Sequence, residues 1–235
     1  MSRSGNDRTS RTVANSPLQQ SSFVFLPEEE AARREILKAP EVFRAEARRG
    51  LDLRREEAKG ERAALAKVAE TAARAAGEIG SAAVAFAGDL PQTVFGGADG
   101  SAFVLPFGIL FERVREQQNV LGRLLLRLDA ARAPGWFDPD RFLFVAGTLG
   151  DGELRTATER ARAEDDAILA AIDRLSDGIG TFCETAISAF YGKAADVFDL
   201  EHDGANARFG ALRALCGELR HAAEQFAGKC RENGT

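Results

Sequence analysis

Between residues 107 and 131 the apolar side chains recur by threes and fours: Phe107, Leu110, Val114, Leu121, Leu124, Leu128 and Ala131, with Gln117 keeping step among them. Positions three and four apart return to one face only in an α-helix, so this stretch is a helix with one apolar stripe. The rhythm recurs three more times. Leu65, Val68, Ala72, Ala75, Ile79, Ala82 and Phe86 form one stripe. Leu154, Ala157, Ala161, Glu164, Ile168, Ile172, Leu175, Ile179, Phe182, Ala186 and Ala189 form another, and Phe209, Leu212, Cys216, Leu219, Ala223 and Phe226 the last. Such stripes are buried against nearly parallel or antiparallel helices. The expected fold class is therefore all-α: an elongated bundle of about four principal helices, with long ones near 41–86 and 152–191.

Composition supports this reading. The chain contains 42 alanines, which lose no side-chain entropy on entering a helix. On the stripe from Leu65 to Phe86 they would also let a partner helix approach closely.

Residues 1–22 are mostly polar and lack the apolar surface needed to offset the entropy of ordering, so a flexible tail is expected there. Phe23-Val24-Phe25-Leu26 then forms a compact apolar patch, and Pro27 with Glu28, Glu29 and Glu30 has the form of a helix start. That helix should stop near Ala39, before Pro40. The long helix after it carries dense mixed charge from Arg44 to Arg62, with Gly50 and Gly60 as weak points. Glycines from Gly96 to Gly100 mark a loop spanning 88–106, and Ala133-Pro134-Gly135 ends the next helix. Trp136 to Val145, rich in aromatics and broken by Pro139, reads as a packed loop with a short strand. Asp151-Gly152 opens the third long helix, which Gly178 and Gly180 could bend, and Asp203-Gly204 marks a turn. One domain, 23–230, is expected between the tail and a short disordered end at 231–235.

The net charge of −5, with no dense basic run, argues against nucleic acid. The longest apolar runs fall far short of the roughly 20 residues of a membrane span. Phosphate-loop, dinucleotide, nucleophile-elbow and zinc-protease motifs are absent, and two histidines leave most acid–base schemes without a base. One constellation could carry chemistry: Asp199 with His202 and Glu218 with His221, each pair spaced to share a helix face as in bundle metal sites. Against it, the first pair abuts the Asp203-Gly204 turn and the other stripes supply little beyond Glu164. Cys183, Cys216 and Cys230 form no C-x-x-C and lie on or near apolar stripes, which suits buried free thiols in a reducing cytoplasm. The acids around Glu164-Asp165-Asp166 could attract the arginine-rich helix at 106–132 or present an acidic face.

The leading expectation is a non-enzymatic interaction or structural protein that acts through protein–protein contacts, as a homo-oligomer or with a protein partner, and needs no cofactor. Its candidate interaction surface is Phe23, Phe25, Phe137, Phe142 and Phe144, which lie outside the stripes. The alternative is a helical metal-binding protein or enzyme built on Asp199/His202 and Glu218/His221.

Overall fold

The computed structural model describes residues 27–95, 101–131, 136–192 and 205–233, and among these there are helices and no strands. They are α1 (Pro27–Lys38), α2 (Pro40–Phe95), α3 (Ser101–Ala131), α4 (Pro139–Leu149), α5 (Gly152–Phe182) and α6 (Ala205–Asn233). A π-helical turn, Cys183–Ser188, prolongs α5. None of them is long and apolar enough to cross a membrane. The expected tail, the glycine cluster at 96–100 and the Asp203-Gly204 turn lie outside the described residues.

Helix α2, 56 residues long, is the spine. At 1.5 Å per residue it spans about 84 Å, and α3, α5 and α6 all pack along it. Helix α5 runs parallel to it, since Arg44 meets Asp151 and Arg54 meets Asp165. Helix α3 runs the other way: its end lines a cleft with Ile168 and Ile172, while Phe111, near its start, meets Tyr191 edge-on. Among the described residues no Cα of α3 lies within 8 Å of one of α6. The four long helices thus form a flattened bundle, with α2 and α5 in contact through the middle and α3 and α6 on either side.

The buried face of α3 keeps the expected stripe, with Leu110, Val114, Leu121, Leu124 and Leu128 in the core. The α5 stripe differs at two places. In and just past the π-helical turn, Ile187 and Phe190 take the buried positions and Ala189 is exposed. Thr158, not Ala157, is fully buried, because its hydroxyl donates to the Leu154 carbonyl at 2.8 Å and so needs no other partner.

Four boundaries differ from the sequence expectation. Helix α2 continues through Pro91 to Phe95, and α3 begins at Ser101 and passes through Pro106, so the 88–106 loop is shorter than expected. A proline costs a helix one hydrogen bond and a ring clash, which does not of itself end it. Residues 139–149 are the short helix α4 in place of the packed loop with a strand. Asp138 caps it by accepting from the Arg141 amide, Pro139 takes the first turn, and Gly150 closes it with φ 64°. Its buried Phe142, Val145 and Ala146 occupy one face, with the i, i+3, i+4 spacing of a helix. The amide of Asp151 bonds back to the Ala146 carbonyl, and its carboxylate in turn caps α5 at Leu154. Helix α6 runs to Asn233, beyond Phe226, the last residue of the expected stripe.

Two hydrophobic clusters result. The larger joins α2 from Ala58 onward with α3, α5 from Ile168 onward, and α6. The smaller joins α1, α4 and the first parts of α2 and α5 through Ile36, Ala47, Leu51, Phe142, Leu154 and Ala161. Phe142 lies directly over Gly50, where an added Cβ would stand 2.6 Å from the ring, so this glycine makes room for the docking of α4.

Candidate functional site

The seam between the two clusters is polar. On α2 the buried series Ala47, Leu51, Arg54, Ala58 steps by four, three and four, so Arg54 occupies a core position. Its guanidinium donates two bonds to Glu61, at 3.1 and 2.7 Å, and one from Nε to Asp165 of α5 at 2.7 Å. Those bonds, the Glu61 pair foremost, raise its pKa and keep it charged although its side chain is only 10% exposed. Arg62 reaches Glu164 at 2.6 Å beside it. The acidic residues Glu164 and Asp165 therefore pair with arginines of α2, a partner that neither alternative read from the charge pattern had named.

Next to this layer a cleft opens between α2, α3 and α5. It has a volume of about 250 Å³, and Ala64, Leu65, Val68, Leu124, Leu128, Ala131, Ile168 and Ile172 supply its apolar lining. Glu61, Lys67, Thr71 and Arg127 complete it. Glu61 is held by Arg54, whereas Lys67 and Arg127, both exposed, pair with no carboxylate among the described residues.

At the smaller cluster the sole tryptophan stands half-exposed. Trp136 donates from Nε1 to Glu57 at 3.1 Å and sets its ring edge-on to Phe137, which packs edge-on against Phe142. Leu53, 52% exposed, lies on the same face of α2 as Gly50 beneath Phe142 and Glu57 beneath Trp136. Of the sequence-derived surface, Phe142 is buried and Phe137 and Phe144 are half-buried against the smaller cluster, while Phe23 and Phe25 lie outside the described residues. The aromatic with the most free surface there is Trp136, which lies outside the helices like its neighbour Phe137 and was not among the expected surface residues.

Glu218 and His221 are exposed on α6, and His221 Nε2 lies 2.9 Å from Gln225 Nε2. Asp199 and His202 are outside the described residues, among which no three His, Cys, Asp or Glu side chains gather to hold a metal. Cys216 and Cys230 are buried and Cys183 is half-buried. Burial pushes the Cys216 and Cys230 thiols up to about 11 and raises Cys183 as well, so all three are weak nucleophiles at neutral pH.

These features define an all-α helical-bundle protein with a buried arginine layer, an apolar cleft and a pinned exposed tryptophan. No family model, curated protein or solved structure matches the chain.

Proposed function

We propose that this chain is a non-enzymatic helical assembly protein that associates with a second copy of itself through the surface around Trp136 and Leu53. The observation that carries the reading is the state of Trp136: 48% of it is exposed, yet it is fixed by the bond to Glu57 and the edge contact with Phe137. A large aromatic held rigid in water loses little entropy on binding and removes much apolar surface from solvent, which is why tryptophan is enriched among the residues that dominate interfaces. Leu53 beside it extends the apolar area, and Glu57 supplies a polar rim.

Because the chain has one tryptophan, the surface carries its own reporter. Emission from Trp136 and mass by light scattering are to be followed together from nanomolar to high micromolar concentration. Self-association through this surface gives a blue shift that rises with mass, and Leu53→Glu abolishes both while leaving the far-ultraviolet helical signal intact. A constant mass of 25.3 kDa with constant emission would refute the proposal.

A further inference from the structure

We propose that the cleft between α2, α3 and α5 is a binding slot for a linear amphiphile with an anionic head group. The chain of the ligand lies among Leu65, Val68, Leu124, Leu128, Ile168 and Ile172, and its head is held by Lys67 and Arg127.

The shape argues for a chain. The lining follows α2 from Glu61 to Thr71, about 15 Å at 1.5 Å per residue, so a volume of about 250 Å³ is drawn out into a narrow slot. An apolar cavity of about 150 Å³ is enough to take benzene, and this one is larger, longer and open to solvent at one side. Its floor is aliphatic: Ile168, Ile172, Leu124 and Leu128 are all buried members of the main cluster and present no polar atom that would hold water in place.

The charge at the mouth argues for an anion. Arg54, about two turns before the slot on α2, and Arg62, beside Glu61 at its end, are committed to Glu61, Asp165 and Glu164. Lys67 on α2 and Arg127 on α3 line the slot from opposite helices and have no carboxylate partner among the described residues. The one acid in the lining, Glu61, is engaged by two bonds from Arg54, which also reaches Asp165, and does not pair with Lys67 or Arg127. An anionic head between Lys67 and Arg127 would gain two charge-assisted contacts, a neutral head would gain none, and a cationic head would be repelled. The proposal is independent of the tryptophan surface, since it uses a different part of the bundle and a different ligand class.

Titration calorimetry on the intact chain with decanoate, decyl phosphate, decan-1-ol and decyltrimethylammonium tests it. Expected is binding of one or both anions about tenfold tighter than the alcohol, with the cation weakest. The ratio between decanoate and decyl phosphate tells which head group fits. The double variant Lys67→Gln/Arg127→Gln should bring the anions down to the affinity of the alcohol. Val68→Phe should fill the slot and abolish binding of all four. Ala64→Leu, on the exposed rim and harmless to folding, should weaken all four as well. Failure of both anions to bind at millimolar concentration would overturn the proposal, as would equal affinity for decanoate and decan-1-ol or undiminished binding in Ala64→Leu.

Discussion

Ile79→Ala should destabilise this protein more than an average core truncation, and the surroundings of the residue say why. Ile79 is fully buried on α2. The substitution removes three carbons, worth about 2.4 kcal/mol at about 0.8 kcal/mol each for the transfer alone. The rest depends on how far neighbours can move into the space. One turn to either side stand Ala75, Ala76, Ala82 and Ala83, all buried, and none has a side chain that can rotate into the gap. Nearby, Gly80 already brings α2 up to Ala223 of α6, where an added Cβ would stand at the ordinary contact distance of 3.4 Å, so the helices have little room to close further. The cavity therefore stays open, and the total loss is expected near 4 kcal/mol, in the upper part of the range for such truncations. Leu65→Ala is the control, because Leu65 is only half-buried and lines the open slot; its loss should be about half as large. Urea unfolding followed by far-ultraviolet circular dichroism measures both. A loss below about 2 kcal/mol for Ile79→Ala, or one no larger than for Leu65→Ala, would refute the claim that an alanine seam cannot repack.

Two further predictions concern the charges. Arg54→Met should cost about 1.5–3 kcal/mol by leaving Asp165 and Glu61 without their partner, moderated because these side chains are 23% and 41% exposed. A double-mutant cycle with Asp165→Asn should return a coupling of about 1 kcal/mol or more, and a value near zero would mean that the layer fills space without binding the helices together. Asp151 has its carboxyl held below the usual carboxylate range, first by the bond it accepts from the Leu154 amide and then by Arg44, with burial opposing. A depressed pKa contributes stability above the unfolded value of about 3.9 that is lost as pH falls through the folded one. Asp151→Asn, which still caps α5, should therefore be about 0.5–1 kcal/mol less stable at pH 7 yet show a shallower decline below pH 4. Parallel acid limbs for the two proteins would count against it.

Much of this fold was legible from periodicity alone. A stripe such as Leu110, Val114, Leu121, Leu124 and Leu128 can be buried only if the chain is helical there, so element type and core face follow from local geometry. The break at Pro40 was equally local, because proline restricts the residue before it. The caps of α4 were also written in the chain, in Asp138-Pro139 and Gly150, but the aromatic density of 136–145 obscured them. Tertiary structure decided the rest. Whether Ala157 or Thr158 turns inward depended on a hydroxyl finding the carbonyl one turn back, and Arg54 could enter a buried stripe only because Asp165 arrives from α5, 111 residues later. A charged residue looks solvent-facing until its partner is in place, since burial without that partner would be too costly. The slot and the pinned tryptophan arise in the same way. Each joins residues distant in sequence, such as Leu65 with Leu124 and Ile172, or Trp136 with Glu57, and a pattern read along one helix carries no information about what another helix places opposite it.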